Sequence, residues 1–232
     1  MKQQEYFKQS QVCYPSSLSH LQSITVVFQT ILVRLADSSI WQSRNEGYSW
    51  EHLLPDKSFL AFYIHRYAPD RAYLVSGTNE VYRTLDTGKT WSPITVPLPA
   101  NSLGIAVMSF HPLQSDWIIW VGSTPGCTDY QADCHAEAHY TIDNGRNWEH
   151  IESYVKGCAW ARDTDLKIDS RLVICESYRD KTGSQALFRG DNPVELWVGS
   201  KFYKDKHKLF DNVVGFAKFS EYLIVAEVRW EQ

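Results

Sequence analysis

Thr141-Ile142-Asp143-Asn144-Gly145-Arg146-Asn147-Trp148 is one of three copies of an eight-residue pattern in this 232-residue chain. The others are Thr84-Leu85-Asp86-Thr87-Gly88-Lys89-Thr90-Trp91 and Ser43-Arg44-Asn45-Glu46-Gly47-Tyr48-Ser49-Trp50. All read Ser/Thr-x-Asp/Asn-x-Gly-x-x-Trp, the pattern called an Asp-box. The Asp or Asn oxygen can accept backbone N–H groups about two residues on and close a turn. Glycine suits a left-handed backbone at low cost. The hydroxyl residue ends the incoming strand and can tie the turn back. The tryptophan opens the next strand and covers a large apolar area. Asn45 accepts but carries no charge, which makes the first copy the weakest. These are backbone roles, so Ser43, Asn45, Gly47, Trp50, Thr84, Asp86, Gly88, Trp91, Thr141, Asp143, Gly145 and Trp148 read as structural hairpin residues.

The equivalent tryptophans, at 50, 91 and 148, lie 41 and 57 residues apart. Spacings near 40–50 residues, with four short strands per unit, are those of β-propeller blades. The units also match outside the box. Residues 63–75 and 109–121 each hold an apolar run, a polar turn with His, Pro and Asp, and a second apolar run. Strands entering the box follow near Val81–Thr84 and His139–Thr141, and strands leaving it run from Trp91 and Trp148. The chain therefore reads as all-β, a propeller of about four to five blades. Blades are expected at about 22–56, 57–98, 103–156 and 157–212, the last without an intact box. Its strands are expected near Cys158–Arg162, Arg171–Tyr178, Val194–Val198 and Lys208–Phe210. Residues 213–232 begin a fifth blade, and residues 1–21 form an unassigned segment. An unfinished propeller has open edges that invite pairing, so self-association is a possible consequence.

Aromatics make up 14% of the chain, with nine tryptophans, which suits packed blades better than a helical bundle. A net charge of −4 gives no footprint for nucleic acid. No run of 18 apolar residues is present, and Thr25, Gln29 and Thr30 interrupt the most apolar N-terminal stretch. No spanning helix or signal peptide is expected from these residues. No cofactor is expected.

The cysteines are Cys13, Cys127, Cys134, Cys158 and Cys175. Cys127 and Cys134 flank a short polar loop, and Cys158 and Cys175 lie in two adjacent apolar runs. Two local disulfides and one leftover fit this layout and imply an oxidising compartment. Five reduced core thiols are the alternative. A zinc site of Cys127, Cys134, His135 and His139 is another, disfavoured because zinc cysteines are usually two to four residues apart. No metal residue is therefore assigned.

Beyond the boxes, Met108 to Trp160 runs SFHPLQSDWIIWVG, a Cys-flanked loop, AHYTIDNGRNWEHI and YVKGCAW. This stretch, with KFYKDKHKLFDNVVGFAKFSEYLIVAEVRW later, resembles the luminal domain of sortilin-type vacuolar protein sorting receptors, in particular the fungal branch. The resemblance covers about residues 30–230. It implies a ten-bladed propeller, of which this chain supplies roughly the first half, and a receptor that carries soluble cargo from the late Golgi to endosomes. Typical cargo is a vacuolar hydrolase or its propeptide, bound in the lumen of the Golgi and endosomal system. By resemblance, Cys127 matches a loop pair with Cys134, and Cys158 a propeller pair with Cys175. Cys13 has no counterpart. The resemblance implies that cargo binds inside the tunnel, to residues in later or middle blades, none of which is transferable to positions here, so the ligand-binding residues are unknown.

Two further readings stand beside it. Propellers with Asp-boxes include glycoside hydrolases and sialidases, which need paired carboxylates or an arginine cluster with a tyrosine. Asp116, Glu176 and Asp180 are the candidate acids, each beside a turn or strand end, and no Arg-Ile-Pro motif is present. A generic interaction scaffold is the other reading. A non-enzymatic protein-binding propeller is the expectation. His65 and His111 occupy matching blade positions and read as turn histidines, and Lys201–Lys208 reads as a solvated loop.

Overall fold

The computed structural model describes residues 21–27, 30–124, 127, 134–161, 168–188, 192–219 and 222–228. Among these residues five antiparallel sheets follow one another along the chain. The first holds β1 (Leu21–Val27), β2 (Thr30–Leu35), β3 (Ile40–Ser43) and β4 (Glu51–Leu53). The second holds β5 (Phe59–Ile64), β6 (Ala72–Ser76), β7 (Glu80–Thr84) and β8 (Ser92–Thr95). The third holds β9 (Met108–Phe110), β10 (Ile118–Ser123), β11 (Ala136–Thr141) and β12 (Glu149–Ser153). The fourth holds β13 (Val155–Trp160), β14 (Val173–Tyr178), β15 (Val194–Gly199) and β16 (His207–Phe210). The last pair is β17 (Val213–Phe219) with β18 (Tyr222–Glu227). Within each sheet the strands neighbour one another in sequence order, the up-and-down arrangement of a propeller blade.

Strand composition follows position in the blade. β6 and β10 are inner strands whose residues are all buried, because both faces meet a neighbouring sheet. They accordingly read as near-continuous apolar runs. β8 is an edge strand that buries only Ile94 and tolerates Pro93, which has no N–H to give to a ladder. Four apolar clusters fill the spaces between successive sheets. The largest joins sheets three and four through Ile119, Ala138, Tyr140, Val155, Trp160 and Val173. Fully burying side chains of this size stabilises the fold by roughly 1.5–3 kcal/mol each.

Two local expectations are corrected. The fourth sheet starts at Val155, because Tyr154 takes a left-handed φ of 56° and breaks the strand from β12. Lys201–Lys208 is not merely a solvated loop. Lys201, Phe202 and Tyr203 have φ of 49°, 60° and 72°, a left-handed turn that drives Tyr203 into the core while the lysines stay exposed. Gly199 permits this fold-back, since a Cβ there would lie 2.7 Å from the Cα of Tyr203.

Candidate functional site

The three boxes close in one way. The glycine N–H donates to the strand-end hydroxyl, Gly47 to Ser43 at 2.8 Å, Gly88 to Thr84 at 2.8 Å and Gly145 to Thr141 at 2.9 Å. The hydroxyl in turn donates to the Asp or Asn oxygen. That oxygen accepts the backbone N–H four residues on, from Ser49, Thr90 and Asn147. The reach exceeds the two residues expected because two consecutive residues are left-handed, for example Thr87 and Gly88 at 60° and 82°. Burial raises the Asp86 pKa, but donors from Thr90, Thr84 and Lys89 outweigh it and bring it down to about 2. The same balance lowers Asp143, with Asn147 as the chief donor.

The second and third boxes are also gripped by the preceding sheet. In β3, Gln42 sits one residue before the first box, and its amide donates to Gly88 O at 2.8 Å and accepts Trp91 Nε1 at 3.0 Å. In β7, Arg83 sits one residue before the second box and donates to Asn144 O, while Tyr73 donates its hydroxyl to Asn144 Oδ1 at 2.9 Å. Trp148 Nε1 reaches back to Thr95 O at 3.0 Å. Tyr140 holds the equivalent place before the third box. It stacks on Phe202 of the left-handed turn, with centroids 4.8 Å apart and planes 4° from parallel. The boxes thus bear on packing between blades as well as on their own hairpins. Sequence reading missed this grip, because its partners lie 46 to 71 residues apart.

Cys127 and Cys134 are bonded to each other, as are Cys158 and Cys175. The latter two are directly opposed across β13 and β14, with Cα atoms 4.1 Å apart. Sulfurs so bonded cannot serve as zinc thiolates, so the set of Cys127, Cys134, His135 and His139 is excluded. Cys13 lies outside the described residues.

A cavity of about 680 Å³ opens beside Cys127, between residues 102–106, which lead into β9, and the loop after β14. Leu103, Ile105 and Phe188 give it apolar walls, and Lys156 and Tyr178 bring polar groups to it. Glu176 lies near Lys156, and burial raises its pKa.

The candidate acids go to separate environments. Asp116 pairs with Arg71 at 2.6 Å. Glu176 is half-buried, with Oε1 lacking a hydrogen-bond partner. Asp180 accepts the Thr182 hydroxyl at 2.7 Å in a turn braced by Asn192. Two of the three are thus committed to turns or inter-blade pairs. His65 and His111 are buried, and each Nδ1 accepts backbone N–H groups of its own turn, Tyr67 for one and Leu113 and Gln114 for the other. His111 Nε2 also meets Ser170 O of the next blade at 2.9 Å. Both are placed as turn-bracing histidines.

The family model described as sortilin, neurotensin receptor 3, matches residues 38–232. The chain belongs to the sortilin/Vps10 family. Among curated relatives, the Vacuolar protein sorting/targeting protein 10 of Laccaria bicolor is 55% identical over 200 residues, covering 86% of this chain and 14% of that protein. The protein of the same name from Mycosarcoma maydis is 48% identical over 205 residues, covering 85% of this chain and 14% of its own length. This member of the sortilin/Vps10 family therefore spans about one-seventh of the length of the curated relatives it matches. Among solved structures, the tricorn protease superposes with a TM-score of 0.57 at 13% identity, covering 90% of this chain and 24% of that one. The GH74 xyloglucanase of Xanthomonas campestris gives 0.50 at 13% identity, covering 84% and 30%. Likeness at that identity bears on the fold alone, and the fold is a β-propeller. Among the described residues no helix is long and apolar enough to cross a membrane.

Proposed function

We propose that this chain is part of the propeller of a sorting receptor that binds soluble protein cargo, without catalysis, in the lumen of the Golgi and endosomal system. The observation that carries the reading is the 55% identity to a protein named for vacuolar sorting and targeting. The site geometry supports it. The box carboxylates are consumed by turn closure, and Asp116 and Asp180 are held by neighbours. The two disulfides fit an oxidising lumen.

The cargo is a soluble vacuolar hydrolase or its propeptide, on the route from Golgi to endosome. The cavity beside Cys127 is the contact we assign to it, because Leu103, Ile105 and Phe188 together with Ser102, Lys156, Tyr178 and Gln185 offer a peptide both apolar and hydrogen-bonding contacts. The test is binding of a vacuolar hydrolase propeptide to the immobilised, disulfide-intact chain. Saturable binding that Ala106→Arg weakens at least tenfold is expected, since Ala106 lines the cavity and is exposed. No binding, or equal binding by the variant, overturns the respective half of the reading.

A further inference from the structure

The cavity beside Cys127 has two fixed walls. One is the segment 101–106 ahead of β9. The Asn101 side-chain amide donates to the carbonyls of Ile105 and Val121 at 3.1 and 2.9 Å, and accepts the N–H groups of Leu103 and Ile105 at 3.3 and 3.1 Å. Gly104 takes the left-handed φ of 75° within this fold-back. The facing wall hangs on Gln185. Its backbone N–H donates to Cys134 O, and its side chain bridges the Ala136 N–H and Val155 O. Three residues on, the Phe188 ring meets Tyr178 edge-on at 4.9 Å and lies 6.1 Å from the ring of Tyr154. A cavity framed in this way stands open before a ligand arrives, so binding carries little ordering cost.

The polar groups on these walls are one-sided. Among the described residues that line the cavity, Lys156 alone carries a charge. One of its three N–H groups goes to Val214 O at 2.8 Å, and among the described residues it has no ion-pair partner. Glu176 lies nearby, but burial disfavours its charged form and weakens it as a counter-ion. Burial, with Glu176 close by, raises the Tyr178 pKa, so the phenol remains an O–H donor. Ser102 is exposed and adds a hydroxyl, whereas the Gln185 amide is already spent on the backbone. The cavity thus offers one ammonium and two hydroxyl donors and no acid among its lining residues. An ionised carboxylate, which only accepts, is the complement of that set.

Resting on the cargo-binding reading, we propose that this cavity recognises an acidic side chain of the cargo, an aspartate or glutamate next to a bulky apolar residue. Lys156 is its counter-ion, and Tyr178 and Ser102 donate to the carboxylate oxygens. The apolar neighbour packs on Leu103, Ile105 and Phe188. A volume of about 680 Å³ exceeds what one side chain fills and admits a short stretch of peptide passing through. That favours an acidic residue within the peptide over a chain end.

The test is direct titration of the disulfide-intact chain with short fluorescent peptides. Three are capped at both ends and centred on Leu-Asp, Leu-Asn or Leu-Lys, and a fourth ends in leucine with a free carboxylate. The Leu-Asp peptide is expected to bind at least tenfold more tightly than the Leu-Asn peptide, and to lose that margin as salt screens the charge. Lys156→Gln should abolish the margin, Lys156→Arg should keep most of it, and Tyr178→Phe should reduce it about threefold. Lys156 also ties β13 to β17, so Ser102→Asp is the second variant. It sets a competing carboxylate on the opposite wall and should abolish the margin with Lys156 intact. Equal binding of the Leu-Asp and Leu-Asn peptides overturns the proposal, as does a margin that survives both Lys156→Gln and Ser102→Asp. Tighter binding of the Leu-Lys peptide or of the free chain end overturns it too, and so does no binding of any of the four below about 1 mM. A propeptide that binds and that Ala106→Arg weakens, with no aspartate margin, leaves the cargo-binding reading standing and the acidic-residue site fallen. An aspartate margin without propeptide binding does the converse.

Discussion

The third and fourth blades turn the same corner by different chemistry. Between β11 and β12 the box closes through Asp143, Thr141 and a glycine at φ 83°, and Arg83 and Tyr73 of the preceding blade hold Asn144. Between β15 and β16 no box is present. Three consecutive non-glycine residues are left-handed, at about 1–2 kcal/mol each. The aromatic contacts of Phe202 with Tyr140, Trp117 and Trp160 offset that cost, together with the burial of Tyr203. The joint between blades is thus the requirement that both corners share. A polar clamp meets it in one place and an aromatic plug in the other.

The fourth blade also carries a covalent tie that the first two lack among the described residues. Removing it with Cys158→Ala and Cys175→Ala should cost the most, about 3 kcal/mol from chain entropy over the 17-residue separation. Removing Cys127–Cys134, across 7 residues, should cost about 2.5 kcal/mol on the same footing. Urea midpoints measured without reductant check both. Equal or reversed losses would show that the unboxed blade does not lean on its disulfide. Next in size is Phe202→Ala, expected to cost about 2 kcal/mol, less than a fully buried phenylalanine because the ring is partly exposed. In a double-mutant cycle Phe202→Ala should couple to Tyr140→Ala and be additive with Asp86→Ala. Additivity with Tyr140→Ala would remove the plug from the comparison.

The sequence made the boxed regions easier to read than the unboxed one, for physical reasons. A box is local, with hydroxyl, carboxylate, glycine and tryptophan within eight residues, so its hairpin and the strands on either side are visible without knowing the fold. The four strands of blade four were also visible, each to within about three residues, as apolar runs between turn signals. The turn at Lys201–Tyr203 was not, because nothing in Lys, Phe or Tyr advertises a positive φ. Its cause is a space between Trp117 and Tyr140 more than 60 residues earlier. Gln42 and Arg83 were invisible as clamps for the same reason.

Within the boxed set, charge should separate the copies. Asp143→Ala and Asp86→Ala should each cost about 1–2 kcal/mol, since each carboxylate accepts several donors. Asn45→Ala should cost less, because a neutral amide makes weaker bonds to Ser49 and Ser43. Thermal melts at pH 7 order the three, and a loss at Asn45 as large as at Asp143 would show that charge adds nothing to the turn.

The smallest effect is confined to acid. Asp86 has a folded pKa of about 2, below its ordinary value of 3.8. Its contribution is therefore complete above about 3.8 and is lost as pH falls toward about 2. His65 acts in a different window. Burial, with the nearby Arg71 charge, lowers its pKa from 6.5 to about 4, so the folded state holds a neutral ring that the unfolded chain would protonate. That contribution is complete above about 6.5 and is lost as pH falls through about 4. Asp86→Asn should start slightly less stable at neutral pH and then show a flatter stability profile between about 3.8 and 2 than the parent. The slope between 6.5 and 4 should be the same in both, because it belongs to buried histidines such as His65 and His139 and not to Asp86. Urea midpoints across the two windows separate the groups. If Asp86→Asn flattened the upper window instead, the acid response would lie in the joint around His65 and Arg71 rather than in the box. Asn45→Asp makes the converse change. It should add an acid-labile component to the one box that has none, because the donors from Ser49 and Ser43 are already aimed at that oxygen.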